Sequence, residues 1–457
     1  MDLFGTAGIR GDARSEVTPE LALAVGRAAG READAFALGR DGRETGLALA
    51  DAVAAGLASA GADVERVGVV PTPALASASR GRHGAMVTAS HNPPADNGIK
   101  LFADGEEYDR AAERRIERRV EEGAPSAAWD EWGDTERASV LTDYRTAVAD
   151  YARGRGAPLD GLRVAVDCGT GTAGLATPQV LRALGADVLA VDANVDGHFP
   201  ARESKPTPES IGTFRDLLAR RREAGDPVAL GVAHDGDADR IVVVDETGEV
   251  VHEDTVLAIL AEHYVRASDA DDPVVVTTPN ASGRIDERVR AAGGRVERVR
   301  LGALHEGVAA ARKAGSADTA VVFAAEPWKH MHTAFGPWID GVASAAAIAG
   351  LVAASGLDAL REPVAERPYR KVAVDCPDDR KPAAMERLRE TLPAEFPDAE
   401  VSTEHGLRLE LPDGSWLLVR PSGTEPYVRL YAESENVAEL VRGARECIED
   451  AVRQVGG

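Results

Sequence analysis

The sequence predicts an α/β protein of three similar domains followed by an α+β domain, and three observations carry that reading. Short β-branched runs alternate with Ala-, Leu- and Arg-rich stretches through most of the 457 residues, the alternation that wraps helices around parallel or mixed sheets. The length suggests about three or four domains at roughly 100–200 residues each. From about Arg370 the style changes to strand, helix, a pair of hairpin-like strands (GLRLELPDGSWLLVRPS), strand, helix.

Taken in order, strands are expected at 35–40, 62–70, 84–90, 162–168, 187–193, 228–235, 240–246, 273–279, 319–326 and 369–376, each an apolar, β-branched run closed by polar or turn residues. Helices such as 19–30 and 47–61 fall between them. The acidic, Trp-containing stretch 123–135 reads as a linker, and further breaks fall near 246–253 and 355–367. The domains expected from these breaks are 1–140, 141–250, 251–365 and 366–457.

Composition narrows the function. Seventy-six acidic against 52 basic residues give a formal charge of −24, which argues against a nucleic-acid partner, because phosphate backbones demand concentrated cations. No stretch approaches the ~18–20 uninterrupted apolar residues of a membrane span, and the N-terminal MDLFGTAGIRGDAR has no signal-peptide form. Cys168, Cys376 and Cys447 fit no metal or disulfide spacing. The expectation is a soluble, cytoplasmic protein whose oligomeric state the sequence leaves open. Only six of the basic residues are Lys; an acidic, Lys-poor surface suits solubility in concentrated salt, and a GC-rich genome choosing Arg codons is the plain alternative.

Four loops hold the chemistry-bearing residues. In Thr88-Ala89-Ser90-His91-Asn92-Pro93-Pro94, running on to Lys100, a rigid turn presents the Ser90 hydroxyl beside His91 and Lys100; a nucleophilic serine needs such a base or cation. An ordinary Asn-Pro turn is the alternative. In Asp235-Gly236-Asp237-Ala238-Asp239-Arg240, three carboxylates at spacing two lie between apolar runs. A hard divalent cation, Mg²⁺ by preference, would relieve their repulsion; a solvated acidic turn is the alternative. Arg420-Pro421-Ser422-Gly423-Thr424-Glu425-Pro426, with Arg429 nearby, gathers donors for a phosphate or is simply a Pro/Gly turn. Ala325-Glu326-Pro327-Trp328-Lys329-His330 offers polar groups for a small molecule, or one packed Trp on a surface loop. Against these stands Gly169-Thr170-Gly171-Thr172-Ala173-Gly174, with Asp192 eighteen residues on. It has the form of a dinucleotide fingerprint and makes an NAD-dependent oxidoreductase the rival reading. A glycine turn that supports sheet–helix packing explains it more economically.

Phe4-Gly5-Thr6-Ala7-Gly8-Ile9-Arg10-Gly11, Gly39-Arg40-Asp41-Gly42-Arg43, Pro71-Thr72-Pro73, the Ser90 loop, the triple-Asp loop and the Arg420 loop follow one another in an order that resembles the α-D-phosphohexomutase family over essentially the whole chain. The resemblance implies a four-domain enzyme with one loop per domain at a central cleft. It implies that Ser90 carries a phosphoryl group and that Asp235, Asp237 and Asp239 bind Mg²⁺ together with a phosphoserine oxygen. Arg10, His91 and Lys100 would be the basic groups beside the phosphoserine, and Arg240 follows the metal loop as the family's Arg does. Arg420, Ser422, Gly423 and Thr424 would clamp the substrate's non-reacting phosphate. Glu326 would bind the sugar and His330 would assist proton transfer. The implied reaction interconverts a hexose or hexosamine 1-phosphate and 6-phosphate through a bisphosphorylated sugar, which also serves as activator. The third-domain loop departs from the family: Ala325, Trp328 and Lys329 stand where Gly, Ser and Gly are usual. A diverged homologue, pentose-specific or non-catalytic, is the alternative that this departure keeps open.

Overall fold

A computed structural model describes residues 3–5, 8–422 and 425–455. The chain forms two compact units: Met1–Val256 with Phe323–Arg361, and Leu257–Val322 with Glu362–Gly457.

The first unit opens with a seven-stranded sheet made by β1 (Ile9–Asp12), β2 (Ala35–Arg40), β3 (Asp63–Val69), β4 (His83–Val87), β5 (Asp96–Ala103), β6 (Glu106–Glu107) and β7 (Thr135–Arg137), in the order β1-β5-β4-β2-β3-β7 with β6 on β5. The strands β4, β2, β3 and β7 run parallel; β5 is antiparallel to both β4 and β1. Its two long helices, Pro19–Ala29 and Gly46–Ser59, cross at glycine: a Cβ on Gly26 would lie 2.4 Å from Val53 O, and one on Gly56 2.4 Å from Leu23 O. Their Ala-rich faces therefore touch backbone to backbone, while Val25, Leu49, Val53 and Leu57 cover Phe36, Leu38, Val87 and Ile99 of the sheet.

A second sheet holds β8 (Arg163–Asp167), β9 (Asp187–Val191), β10 (Leu230–Ala233) and β11 (Val242–Val244), ordered β11-β10-β8-β9, with only β11 antiparallel. The triple-Asp loop is the connection from β10 to β11. In the second unit β12 (Asp272–Thr277) and β13 (Arg295–Arg298) pair in parallel. β14 (Thr319–Glu326) carries the chain back into the first unit and turns through Pro327–Trp328 into β15 (Lys329–Met331). The helix Gly341–Ser355 that follows is almost wholly buried and capped by Asp340, whose carboxylate accepts Ala343 N at 2.8 Å.

The C-terminal part of the second unit is an antiparallel sheet of β16 (Tyr369–Asp375), β17 (Glu400–Ser402), β18 (Leu407–Glu410), β19 (Trp416–Pro421) and β20 (Tyr427–Glu433), ordered β16-β20-β19-β18-β17. Helices Lys381–Glu395 and Val437–Val455 pack on it through Leu388, Leu392, Leu440 and Ile448. This is the α+β domain that the change of pattern near Arg370 predicts, after mixed α/β sheets. Two local expectations differ. The strand expected at 84–90 stops at Val87, and Asn97–Lys100, expected to end a loop, belongs to β5. Asn-Gly has turn composition, but pairing with β4 and β1 on both sides overrides it. Among the described residues no helix is long and apolar enough to cross a membrane.

Candidate active site

Ser90 sits three residues beyond β4, in the left-handed region at φ 51°. A non-glycine residue stays there only if its surroundings fix it, and Arg43 does so. Its buried guanidinium donates to the carbonyls of Ser90 (2.9 Å), Asn92 (2.8 Å), Pro93 (2.5 Å) and Asp96 (2.9 Å), and its charge is balanced by Asp41 at 3.1 Å. Thr88 Oγ1 accepts from Ser90 N at 2.9 Å and donates to Asp41 at 2.7 Å.

The triple-Asp loop closes against this turn. A Cβ on Gly236 would lie 2.7 Å from Ser90 O, so only glycine permits the approach. The glycine turn after β8 supports the loop from behind: Thr172 N donates to Gly236 O at 3.0 Å, and a Cβ on Gly171 would come within 2.7 Å of the same oxygen. The turn that imitates a dinucleotide fingerprint is thus filled by the triple-Asp loop itself.

Asp235, Asp237 and Asp239 each place a carboxylate oxygen within 4.8 Å of the others, all buried. Ser90 Oγ donates to Asp235 Oδ2 at 2.7 Å. Lys100, projecting from β5, reaches Asp239 Oδ2 at 3.0 Å and Asp237 Oδ2 at 3.7 Å. Arg240 Nε lies 3.7 Å from Asp235 and 3.8 Å from Asp239. Burial, with Asp239 and Asp237 beside it, pushes the Asp235 carboxyl well up. Asp239 is buried too, yet Lys100, Lys329 and Arg240 hold it well below the usual range. Burial opposes the charge on Lys100, but Asp239, Asp237 and Glu107 outweigh it and raise its pKa. Several buried polar atoms have no hydrogen-bond partner: Asp237 Oδ1, Asp239 Oδ1, Arg10 Nε and Nη2, and Arg240 Nε. Unmatched buried oxygens among three carboxylates suit a divalent cation, and unmatched guanidinium donors suit an anion.

His91 Nδ1 lies 3.3 Å from Ser90 Oγ, and its Nε2 is 3.5 Å from Arg240 Nη2. Burial, Arg240 and Arg10 depress its pKa to about 2, so the ring is neutral.

The third loop is a hairpin tip. Glu326 pairs with Lys329 and Ala325 with His330 across a two-residue Pro-Trp turn. Directly opposed residues share a sheet face and alternate residues take opposite faces, so Glu326 and Lys329 lie on one face and His330 on the other. His330 is buried, with Nδ1 3.1 Å from Ser344 Oγ and its ring 5.7 Å from that of Phe323. Strand alternation thus separates Glu326 from His330, the residue implied to assist proton transfer, whose Nε2 is buried without a hydrogen-bond partner. Trp328, at φ 70°, packs on Ile211, Phe214, Val242 and Val244, and its carbonyl accepts Ile241 N at 3.1 Å. Packing beneath the loop, rather than toward a ligand, is what the tryptophan does.

In the second unit, Arg420 donates to Tyr431 OH at 2.9 Å, while its Nε and Ser422 Oγ are buried without partners. Lys381 Nζ donates to the carbonyls of Ser422 (2.7 Å) and Glu425 (2.5 Å), bracing both ends of the turn. Gly423 and Thr424 lie outside the described residues. Lys381 was invisible to the reading of motifs, being 41 residues from Ser422. The structural duties of Asp41, Arg43 and Thr72 also went unassigned, although the short runs GRDGR and PTP mark their positions.

A serine just beyond a strand, beside a carboxylate triad and orphaned guanidinium donors, has the groups that phosphoryl transfer needs. The sequence matches the phosphoglucomutase/phosphomannomutase family over all four of its parts: α/β/α domain I at residues 1–126, domain II at 143–248, domain III at 252–369 and the C-terminal domain at 372–449. It is 43% identical over 444 residues to a phosphopentomutase of Thermococcus kodakarensis, covering 95% of this chain and 94% of that one. It is 40% identical over 463 residues to a probable phosphoglucosamine mutase of Methanopyrus kandleri, covering 99% and 98%. A solved phosphoglucomutase/phosphomannomutase family protein from Burkholderia thailandensis superposes with a TM-score of 0.84 at 27% identity, over 100% of this chain and 98% of that one. The chain belongs to the phosphoglucomutase/phosphomannomutase family. It is a phosphosugar mutase, an isomerase that works by phosphoryl transfer; nothing in these relatives supports an oxidoreductase.

Proposed function

We propose that this mutase carries its phosphoryl group on Ser90 and holds Mg²⁺ between Asp235, Asp237, Asp239 and a phosphoserine oxygen. The carrying observation is the 2.7 Å bond from Ser90 Oγ to Asp235 beside two unmatched carboxylate oxygens. Bound there, the cation would neutralise charge on the transferring phosphoryl oxygens. Arg10, Lys100 and Arg240 supply the remaining positive charge. In the forward half, the Ser90 O–P bond breaks as a sugar hydroxyl oxygen bonds to phosphorus, and the hydroxyl's proton ends on Ser90 Oγ, giving a bisphosphorylated sugar and free Ser90. In the return half, Ser90 Oγ bonds to the sugar's other phosphate as that sugar O–P bond breaks; its proton, held by Asp235 at 2.7 Å, ends on the sugar oxygen that leaves, with the neutral His91 Nδ1 3.3 Å away. Glu326 binds the sugar, and Arg420, Ser422, Gly423 and Thr424 hold the phosphate that does not react. His330, packed against Ser344, is a support for the hairpin rather than a proton carrier.

The substrate is a hexose or hexosamine phosphate, interconverted between its 1- and 6-phosphates and primed by a bisphosphosugar. A second reading, a pentose phosphate, is favoured by the 43% identity to a phosphopentomutase. The domain bounds 1–140, 141–250, 251–365 and 366–457 go with this reading, as does a cytoplasm rich in salt, to which the −24 charge is suited. Intact-mass measurement tests the centre: purified protein given a bisphosphosugar and Mg²⁺ gains one phosphate that Ser90→Ala lacks. Turnover of glucose, mannose, glucosamine and ribose 1-phosphates then ranks the sugars. Near-normal turnover by Ser90→Ala rejects the assignment.

A further inference from the structure

Lys329 opens β15 directly after the Pro-Trp turn, and its backbone bridges to that of Arg240, the residue after Asp239. It shares a hairpin face with Glu326 and is turned away from His330 and the packed side beneath. The side chain is half-buried. Its ammonium forms no hydrogen bond and no ion pair within 4.0 Å among the described residues. Asp239 and Glu326 act on it only through space, so its three N–H donors are unspent, which is costly for a half-buried ammonium unless a ligand takes them. The backbone bridge sets Lys329 beside a residue of the transfer site: Arg240 Nη2 lies 3.5 Å from His91 Nε2, and Arg240 Nε lies 3.7 Å from Asp235. The tip that presents it is fixed, because Trp328 O accepts from Ile241 N at 3.1 Å and the indole packs on Val242 and Val244.

We infer that Lys329 is a phosphate-contacting residue of this site, adding its ammonium to that of Lys100 and to the guanidinium groups of Arg10 and Arg240 around the phosphoryl group in transit; this rests on the phosphoserine reading above. The chemistry fits, since an ammonium offers three donors to phosphate oxygens without demanding bidentate geometry. The contact would matter most when the phosphoryl lies between Ser90 and a sugar oxygen, where its peripheral oxygens bear the charge.

The experiment compares the full-length protein with Lys329→Met and Lys329→Arg. At saturating Mg²⁺ and substrate, Lys329→Met loses about tenfold or more in kcat, and Lys329→Arg recovers most of it, with the Mg²⁺ concentration for half-maximal rate unchanged. A kcat within twofold of wild type overturns the inference. So does a loss that excess Mg²⁺ restores, which makes Lys329 only a counter-charge to Asp239. Binding of inorganic phosphate to the unphosphorylated protein, followed by calorimetry with Mg²⁺ present, tests the contact without turnover. The expected result is a Kd about tenfold weaker in Lys329→Met; an equal Kd overturns the contact even if no sugar phosphate is turned over. Absence of turnover in wild type, by contrast, would fail the mutase chemistry and not this contact.

Discussion

The hydroxyl of Thr72 donates to Asp237 Oδ2 at 2.6 Å, and the Thr72 backbone N–H donates to Asp237 O at 2.9 Å. One residue, the first of the helix Thr72–Ala78 that follows β3, therefore fixes both the carboxylate plane and the backbone of the central aspartate of the triple-Asp loop. The other carboxylate oxygen, Oδ1, is left without a protein partner. Thr72→Val preserves shape and removes the shortest donor, leaving Asp237 Oδ2 only Thr88 Oγ1 at 3.3 Å and Lys100 at 3.7 Å, so the carboxylate is held less tightly. The expected result is a several-fold rise in the Mg²⁺ concentration needed for half-maximal turnover, with about 1–2 kcal/mol of stability lost for one buried hydrogen bond. An unchanged Mg²⁺ dependence would show that Thr72 does not orient the ligand.

Asp237→Asn separates metal chemistry from folding. The substitution removes one negative charge from a buried cluster of three carboxylates, which relieves repulsion, and it also removes an anionic ligand. Turnover should fall by two orders of magnitude or more, while the melting temperature without Mg²⁺ stays level or rises. Thermal melts with and without Mg²⁺ check this: wild type gains stability from the ion by mass action, and the variant gains less.

Arg43→Met should be among the most damaging single changes in the first unit. The guanidinium makes four bonds to backbone carbonyls of the Ser90 loop and pairs with a fully buried Asp41. Burial already raises the Asp41 pKa against the pull of Arg43. Removing the cation leaves the buried Asp41 without its counter-charge and takes a donor from each of four carbonyls, of which Asn92 O keeps Ser204 and Pro93 O keeps Asp96 N; the loss is about 3–5 kcal/mol. The double change Arg43→Met with Asp41→Asn should recover part of that stability in denaturant titrations, but not activity, because the Ser90 turn has lost its tether.

How much of this was legible in the sequence depends on what each residue answers to. The α/β alternation and the α+β ending follow from local periodicity, and helix crossings at Gly26 and Gly56 keep that periodicity intact. Ser90, the three aspartates and Lys100 stood out because polar groups crowd between apolar strands. Arg43 and Lys381 did not stand out: each works through carbonyls far along the chain, and no local pattern announces a side chain that binds backbone. His330 was misread for a sharper reason. A run such as Glu-Pro-Trp-Lys-His does not reveal that its central Pro-Trp makes a two-residue turn, and that turn alone decides which residues share a face.

His330 gives a pH prediction. Burial depresses its pKa to about 3, against ~6.5 when unfolded. The neutral ring of the folded state contributes its full stability above the unfolded value, and that contribution is lost as pH falls from ~6.5 toward 3. Between pH 7 and pH 5 the loss amounts to about 2 kcal/mol. His330→Leu should lose less stability over that interval than wild type, whatever its stability at pH 7. Denaturant titrations at the two pH values measure the difference, and parallel losses in the two proteins would mean the ring is not buried.

Trp328 sets strain against packing. It occupies the second position of a Pro-led two-residue turn at φ 70°, where glycine is preferred and a bulky side chain costs about 1–3 kcal/mol. The indole packs against the apolar cluster of the second sheet that includes Phe214, Val242 and Val244, and Lys205 Nζ lies 6.0 Å from its ring. Trp328→Gly relieves the backbone but removes the contact, which for a half-buried ring is about 2–3 kcal/mol. The two effects nearly cancel, so the melting temperature should move little. Activity should not be spared, because the packed indole sets where the tip presents Glu326 and Lys329. The expected signature is a stable Trp328→Gly protein whose KM for sugar phosphate rises several-fold. Trp328→Phe, which keeps an aromatic contact, should stay close to wild type. A large fall in melting temperature with an unchanged KM would show that the indole serves only the core of the second sheet.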